Sequence, residues 1–226
     1  MERPDTVRLL ALNRYRAARH GLVLLTVVFA SWSWADSIAR FSIIAAAALV
    51  VTWLEYGSLR PLGIGRPRSW TATLVGGLVL AALSIVLVNF LLSPVLDWLL
   101  PMSLRASRDL SLAGVVPVKP AAAGLLVLLA AVAEEIIYRG FLLHQLSAAF
   151  GRSYAGHLAA IIIAALAFAL PHFQQGVDGV LGVYIVGLLF GWVYFRSGRN
   201  LLLLMLAHAS LDAWALACHQ WYGGLP

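Results

Sequence analysis

The sequence predicts an all-α fold: a polytopic transmembrane helical bundle of about seven spans. Hydrophobic residues make up 62% of the 226 residues, charged residues 12%, and the mean hydropathy is +0.87. This composition lies outside the usual balance of a soluble domain. The apolar runs are about 20 residues long, as a hydrocarbon core about 30 Å thick requires. They are too long and too uniformly apolar for the alternating strands of a membrane barrel, so helices are expected.

The chain divides into a basic N-terminal segment, 1–20, and one helical membrane domain, 21–226. The first segment contains five arginines and is predicted to form an amphipathic helix on the membrane surface. Spans are predicted at 21–35, 41–57, 70–98, 120–148, 155–173, 179–196 and 200–219. The first span could instead be a signal-peptide core, because Ser33-Trp34-Ala35 loosely matches a cleavage site. Its tryptophans and the closely following second span favour a retained anchor.

Basic residues predict the orientation of the bundle. With the N-terminus inside, eleven Lys and Arg residues lie on the inner side and four on the outer side. We therefore expect a multi-pass protein of the inner (plasma) membrane with a cytoplasmic N-terminus. The formal charge of +6 comes from arginines between apolar spans, so the expected partner is the lipid bilayer and not nucleic acid. The single Cys218 excludes an internal disulfide framework and a cysteine-based zinc site.

Three ionisable residues interrupt the predicted span 120–148: Glu134, Glu135 and Arg139. Each charge at a helix centre costs about 2.5 to 3.5 kcal/mol on an insertion scale, or about 8 to 10 kcal/mol together. The apolar side chains between 121 and 143 offset only about 3 to 7 kcal/mol of this insertion cost. This span must therefore be surrounded by other helices or face a water-filled cavity, and intramembrane charges of this kind indicate a functional site.

Helical geometry assigns different roles to the two glutamates. Arg139 lies about 40° around an α-helix from Glu135 but about 140° from Glu134. A glutamate four residues before an arginine is also the favourable order for an ion pair. Glu135 and Arg139 are predicted to neutralise each other, and Glu134 is predicted to act as a general base.

Two later spans supply polar partners for Glu134. Phe168 and His172 are four residues apart, as are His208 and Asp212, so each pair shares a helix face. Rough depths from 1.5 Å per residue allow the polar groups to meet inside the bundle. Taken alone, His172 could sit at the membrane interface, and His208 with Asp212 could simply join two helices. Their occurrence together at compatible depths favours a site.

The three motifs together resemble the CAAX protease and bacteriocin-processing family, which includes type II CAAX prenyl endopeptidase-like proteins. The resemblance covers about 119–215, the expected protease core. The matching motifs are EExxxR at Glu134, Glu135 and Arg139, FxxxH at Phe168 and His172, and HxxxN/D at His208 and Asp212.

The resemblance implies an intramembrane endopeptidase in which Glu134 and His172 hold and activate a water. It implies that His208 and Asp212 stabilise the oxyanion or organise the site. Glu135, Arg139 and Phe168 are then supporting residues. One departure is Asp212, where many family members have asparagine. An ionised aspartate cannot donate a hydrogen bond to an oxyanion, which weakens that role for Asp212.

The sequence leaves metal dependence open. His172, His208 and Glu134 would be an adequate ligand set for zinc with water in the open position. However, the chain lacks HExxH, and a glutamate-activated water needs no metal, so a mechanism without a cofactor is favoured.

Two functions remain for such a bundle. The first is an endopeptidase acting on a membrane protein or peptide, without assuming that its substrates are prenylated. The alternative is a non-catalytic immunity or scaffold protein that binds a peptide or partner in the same cavity. The complete set of motif residues favours the enzyme, because a binding protein has no need of Glu134 once Glu135 and Arg139 are paired. A transporter is disfavoured, since no internal repeat is detected.

Overall fold

The computed structural model describes residues 16, 17, 20, 21, 24, 37–104, 120–151 and 153–222. This described part contains helices and no strand. Its α-helices are α1 (Ser37–Tyr56), α2 (Trp70–Ile85), α3 (Ser93–Leu99), α4 (Pro120–Glu134), α5 (Leu143–Phe150), α6 (Tyr154–Ala169), α7 (Gly176–Arg196) and α8 (Leu201–Tyr222). Two π-helices, Val86–Leu92 and Glu135–Leu142, join α2 to α3 and α4 to α5. Short 3-10 helices span Arg60–Leu62, Met102–Leu104 and Leu170–Gln175.

Five helical stretches of the described residues are long and apolar enough to cross a membrane. They are Ala39–Tyr56, Trp70–Leu99, Tyr154–Phe173, Gly176–Arg196 and Leu201–Cys218. Each corresponds to a predicted span, and the predicted all-α polytopic bundle is confirmed. The predicted first span, 21–35, and the basic segment 1–20 lie almost entirely outside the described residues, as does most of the loop 101–120.

The predicted span 120–148 forms a single helical stretch from Pro120 to Phe150, but it is not a uniform α-helix. Its central eight residues, Glu135–Leu142, form the second π-helix, and all eight are buried. A π-helix has i→i+5 hydrogen bonds, is rare, and often occurs at functional sites. The regular α-helix assumed from the sequence is therefore correct at Glu134 but wrong at Glu135 and Arg139, because periodicity in a uniformly apolar run does not reveal a locally wider turn.

The helix that carries Glu134 is enclosed by its neighbours. Helix α4 packs against α1 and α8, and α6 packs along α7. Close packing of the latter pair depends on glycine, because a Cβ at Gly187 would meet the Ala165 Cβ at 3.0 Å. Likewise, a Cβ at Gly191 would meet the Ile161 Cγ2 at 3.0 Å. These contacts bring α6 and α7, which carry Phe168 and Phe190, close to each other.

The loop between α1 and α2 packs on the turn between α7 and α8. Leu201 N donates to the Gly63 carbonyl oxygen at 3.3 Å, and Leu62 beside it is fully buried. Gly63 has a φ of +81°, and a Cβ there would overlap the Arg199 carbonyl oxygen. Arg199 itself has a φ of 65°, uncommon for a residue with a side chain. This junction fixes the start of α8, the helix that carries His208.

Candidate active site

A buried ion pair lies at the centre of the site. Arg139 Nη1 donates to Glu135 Oε1 at 2.8 Å, and the two side chains are 3% and 0% exposed. This is the partner that the i,i+4 spacing predicts for Glu135. Charge-assisted hydrogen bonds of this length are among the strong ones in proteins, and burial reduces screening by solvent. Because the two side chains neutralise each other, both charges can be buried inside the helix bundle.

Glu135 also contacts the third motif. His208 Nδ1 lies 2.8 Å from the same oxygen, Glu135 Oε1. An ionised carboxylate only accepts hydrogen bonds, so the proton of this bond belongs to His208 Nδ1. A hydrogen bond at one ring nitrogen fixes the orientation of the imidazole and determines what the other nitrogen can do. Glu135 thus links α8 to the second π-helix and fixes the orientation of His208 Nε2.

The other ring nitrogen, His208 Nε2, faces two further carboxylates. It lies 3.7 Å from Glu134 Oε2 and 3.6 Å from Asp212 Oδ2. Both separations exceed a direct hydrogen bond but suit a bridging water or substrate oxygen. Both ring nitrogens of His208 face carboxylates. The protonated ring, an imidazolium, can donate a hydrogen bond from each nitrogen, so this form satisfies the carboxylates best. Glu134, which Arg139 does not pair with, therefore shares a small polar space with His208 and Asp212.

Two phenylalanines enclose the Arg139 guanidinium. Its Cζ lies 3.9 Å from the Phe168 ring centroid and 5.2 Å from the Phe190 ring centroid. Both rings are buried, where cation–π contacts are worth most. Phe168 belongs to a motif recognised in the sequence, but Phe190 does not. Nothing in the sequence singles out Phe190, because it lies in an apolar span with other large apolar residues.

His172 is linked to the cluster by its contacts with Phe168. Its Nδ1 lies 2.9 Å from the Phe168 carbonyl oxygen, which only accepts, so Nδ1 carries a proton. The Phe168 ring centroid is 5.2 Å from that of His172 and 5.8 Å from that of His208. Within the described ranges, no hydrogen bond or ion pair joins His172 to Glu134 or His208. Five of the predicted site residues are therefore joined by polar contacts: Glu134, Glu135, Arg139, His208 and Asp212. His172 contacts this cluster through the Phe168 ring.

Exposure increases in one direction across the cluster. The Glu135 side chain is 0% exposed, those of Glu134 and His208 are 11% exposed, and that of Asp212 is 35% exposed. The site therefore opens at Asp212. As for metals, the part of the chain that the structure describes contains no group of three His, Cys, Asp or Glu residues that could hold an ion.

The fold and the cluster define a class: a multi-pass helical membrane protein with an acid–histidine site inside its bundle. The model of the family described as type II CAAX prenyl endopeptidase Rce1-like matches residues 117–214. Residues 117–214 are therefore similar to this CAAX protease family, as the motifs predict, and the matched region contains all three motifs. The searches of curated proteins and of solved structures each found no match.

Proposed function

We propose that this protein is a catalytically active intramembrane endopeptidase with Glu134 as its general base. One observation carries the proposal: Glu134 Oε2 and Asp212 Oδ2 both lie near His208 Nε2, at 3.7 and 3.6 Å. These separations are long enough for a water to bridge a base and a hydrogen-bond donor. The cluster is nearly buried, so its electrostatic interactions act with little competition from solvent.

Each step of the proposed reaction uses groups of this chain. Glu134 removes a proton from the water as the water oxygen attacks the peptide carbonyl carbon. The carbonyl electron pair moves to its oxygen, and His208 Nε2–H donates to this oxyanion. The carbonyl then re-forms as the C–N bond breaks, and Glu134 returns the proton to the leaving amine. The products are a carboxylic acid and an amine, and the base regains its initial state.

The other residues position these groups. Glu135 and Arg139 hold the His208 ring from Nδ1, and Asp212 attracts the Nε2 side of the ring. His172 is proposed to hold the attacking water with Glu134 once substrate is bound, since its protonated Nδ1 leaves Nε2 as a hydrogen-bond acceptor. Glu134, His172 and His208, the zinc ligands that the sequence allows, do not form a group that could hold an ion among the described residues. A reaction without a metal is proposed, because a glutamate-activated water needs none.

The proposal extends to the cellular setting. The enzyme is placed in the inner (plasma) membrane with a cytoplasmic N-terminus, on the strength of the basic residues between spans. The segment 1–20 is proposed to lie on the cytoplasmic surface, where its arginines attract anionic lipids. The substrate is a membrane protein or a peptide delivered to the membrane.

The test compares cleavage of a co-expressed library of membrane peptides by wild type and by Glu134→Gln, each with and without a chelator. The amide keeps the shape of the side chain but cannot accept the proton. We expect loss of cleavage of at least about 10²-fold in Glu134→Gln and no effect of chelation. Equal cleavage by Glu134→Gln would show that Glu134 is not the base. Cleavage that stops only on chelation would establish a metal enzyme, and no cleavage by wild type would support the non-catalytic alternative.

A further inference from the structure

The candidate active site contains more acidic than basic groups. Its carboxylates belong to Glu134, Glu135 and Asp212, and its cations are Arg139 and the His208 imidazolium. A general base accepts a proton only in its ionised form, so Glu134 is charged when the proposed reaction begins. Three negative charges against two positive charges then leave one negative charge in excess.

No other charge among the described residues compensates this excess. Every charged group that acts on Glu134 or on Asp212 is itself a member of the cluster. His172 carries a proton on Nδ1 and offers Nε2 as an acceptor, so it adds no positive charge. The excess charge is therefore a property of the site.

The excess charge lies at the exposed edge of the cluster. Glu135 Oε1 is 2.8 Å from both Arg139 Nη1 and His208 Nδ1, and the Glu135 side chain is 0% exposed. Asp212 Oδ2 is 3.6 Å from His208 Nε2, beyond a direct hydrogen bond, and the Asp212 side chain is 35% exposed. Glu135 is thus closely paired, whereas Asp212 carries a weakly compensated charge where the site opens.

A charge at this position acts on the charges of a substrate. Three residues of extended chain span about 10 Å, which is about one Debye length at physiological salt. With an effective dielectric constant of about 20, one negative charge at that distance disfavours another by about tenfold. We propose that Asp212 is a specificity-determining residue, which selects against a carboxylate within about three residues of the bond that is cut. The inference rests on the proposed function, because it concerns the substrate of that same site.

This selection defines a class of substrate. The free C-terminus of a chain is a carboxylate, so a bond close to it is disfavoured, whereas a bond inside a continuous chain is not. Acidic side chains beside the bond are disfavoured in the same way, and the same charge attracts Lys and Arg. The preferred substrate is therefore cut at an internal bond with neutral or basic neighbours.

A peptide library measures this preference without a known substrate. Each peptide has a randomised apolar segment in which one position is Gln, Glu or Lys, side chains of similar length that differ in charge. Full-length protein in lipid nanodiscs receives the library, and mass spectrometry identifies the cut bonds and the uncut peptides that stay bound. The variant is Asp212→Asn. The matched control is Glu55→Gln, which neutralises a carboxylate outside the cluster, 3.4 Å from His20 Nδ1.

Wild type should cut peptides with Glu near the bond about tenfold less than those with Gln, and should prefer Lys to Glu. Asp212→Asn should remove most of the difference between Glu and Gln, and Glu55→Gln should leave it unchanged. Equal cutting of Glu and Gln peptides by wild type would overturn the proposal. So would equal losses for Glu and Lys, which desolvation of any charge would cause, or an unchanged preference in Asp212→Asn.

The end of the peptide gives a second measurement. A peptide that wild type cuts is shortened to end about three residues after the bond, with either a carboxylate or an amide. The amide form should have about tenfold higher kcat/KM in wild type but not in Asp212→Asn. The two forms should be cut equally when the peptide ends about ten residues after the bond, roughly three Debye lengths away. Equal cutting of the two short forms by wild type would contradict the proposal.

The bound peptides separate this inference from the proposed function. If wild type cuts no peptide, the proposed function is refuted, and the ratio of Glu to Gln among the bound peptides decides the role of Asp212. A ratio of about one tenth that returns to about one in Asp212→Asn would support charge selection by a binding site. Equal ratios in the two proteins, or no bound peptide, would overturn it.

Discussion

Glu135 Oε1 and His208 Nδ1 lie 2.8 Å apart, so a buried hydrogen bond joins the first motif to the third. The same oxygen accepts from Arg139 at 2.8 Å. One carboxylate thus neutralises a buried guanidinium and fixes the ring of His208 in the candidate active site. This arrangement separates the adjacent glutamates by function: Glu135 contacts Nδ1 of the ring, and Glu134 faces Nε2.

Removing one member of the central ion pair should destabilise the protein more than removing both. Glu135→Leu leaves Arg139 buried without its counter-charge, which we expect to cost about 3 to 5 kcal/mol in the free energy of unfolding. Arg139→Leu should cost a similar amount. The double variant should lose less than either single variant, and denaturant unfolding in detergent measures all three. Additive losses would show that the two side chains do not stabilise each other.

Asp212→Asn should retain activity within about tenfold of wild type, whereas Asp212→Leu should lose about 10- to 100-fold. Asparagine keeps an oxygen acceptor toward His208 Nε2 and adds a donor that an ionised aspartate lacks. Leucine removes every polar atom from the open side of the site. The measurement is kcat/KM for a cleaved peptide. If Asp212→Leu were as active as wild type, Asp212 would have no part in the reaction.

Phe190→Leu should reduce both stability and kcat. The variant removes one of the two rings around Arg139 and leaves space in a buried position, for a cost of about 2 to 3 kcal/mol. A displaced guanidinium would loosen Glu135 and hence His208, so kcat should fall with little change in KM. Trp192→Leu, at a 54% exposed position of the same helix, is the control and should change neither quantity. Unchanged kcat in folded Phe190→Leu would show that Phe190 does not support the site.

Two glycines with similar backbones test the junction at the start of α8. Gly57 and Gly63 have φ values of +62° and +81°, but a Cβ at Gly57 meets nothing within 4 Å. Gly57→Ala should therefore cost only the backbone strain, about 1 to 2 kcal/mol. Gly63→Ala adds overlap with the Arg199 carbonyl oxygen and should cost at least about 2 kcal/mol more. Thermal unfolding of the two variants compares these costs, and equal melting temperatures would contradict the described contact.

Much of the site follows from the cost of placing charge in an apolar helix. Glu134, Glu135 and Arg139 stand out because a hydrophobic span does not otherwise contain them, and their spacing alone assigns Arg139 to Glu135. His208 and Asp212 stand out on the same grounds. Phe190 carries no such signal, because aromatic residues are ordinary in a membrane span. The π-helix at Glu135–Leu142 was also missed, since its sequence is compatible with regular α-helix.

The sequence by itself determined the class of fold, the family resemblance and the residues available for chemistry. Length and hydropathy specify membrane helices, and isolated charges among apolar residues mark where a polar cavity must form. Only the tertiary structure decided which atoms meet: that His208 bonds Glu135 and faces Glu134, and that His172 contacts the cluster through Phe168. These relationships depend on helix rotation and packing distance, because contacts between helices arise from side chains far apart in the chain, which spacing along one helix does not specify.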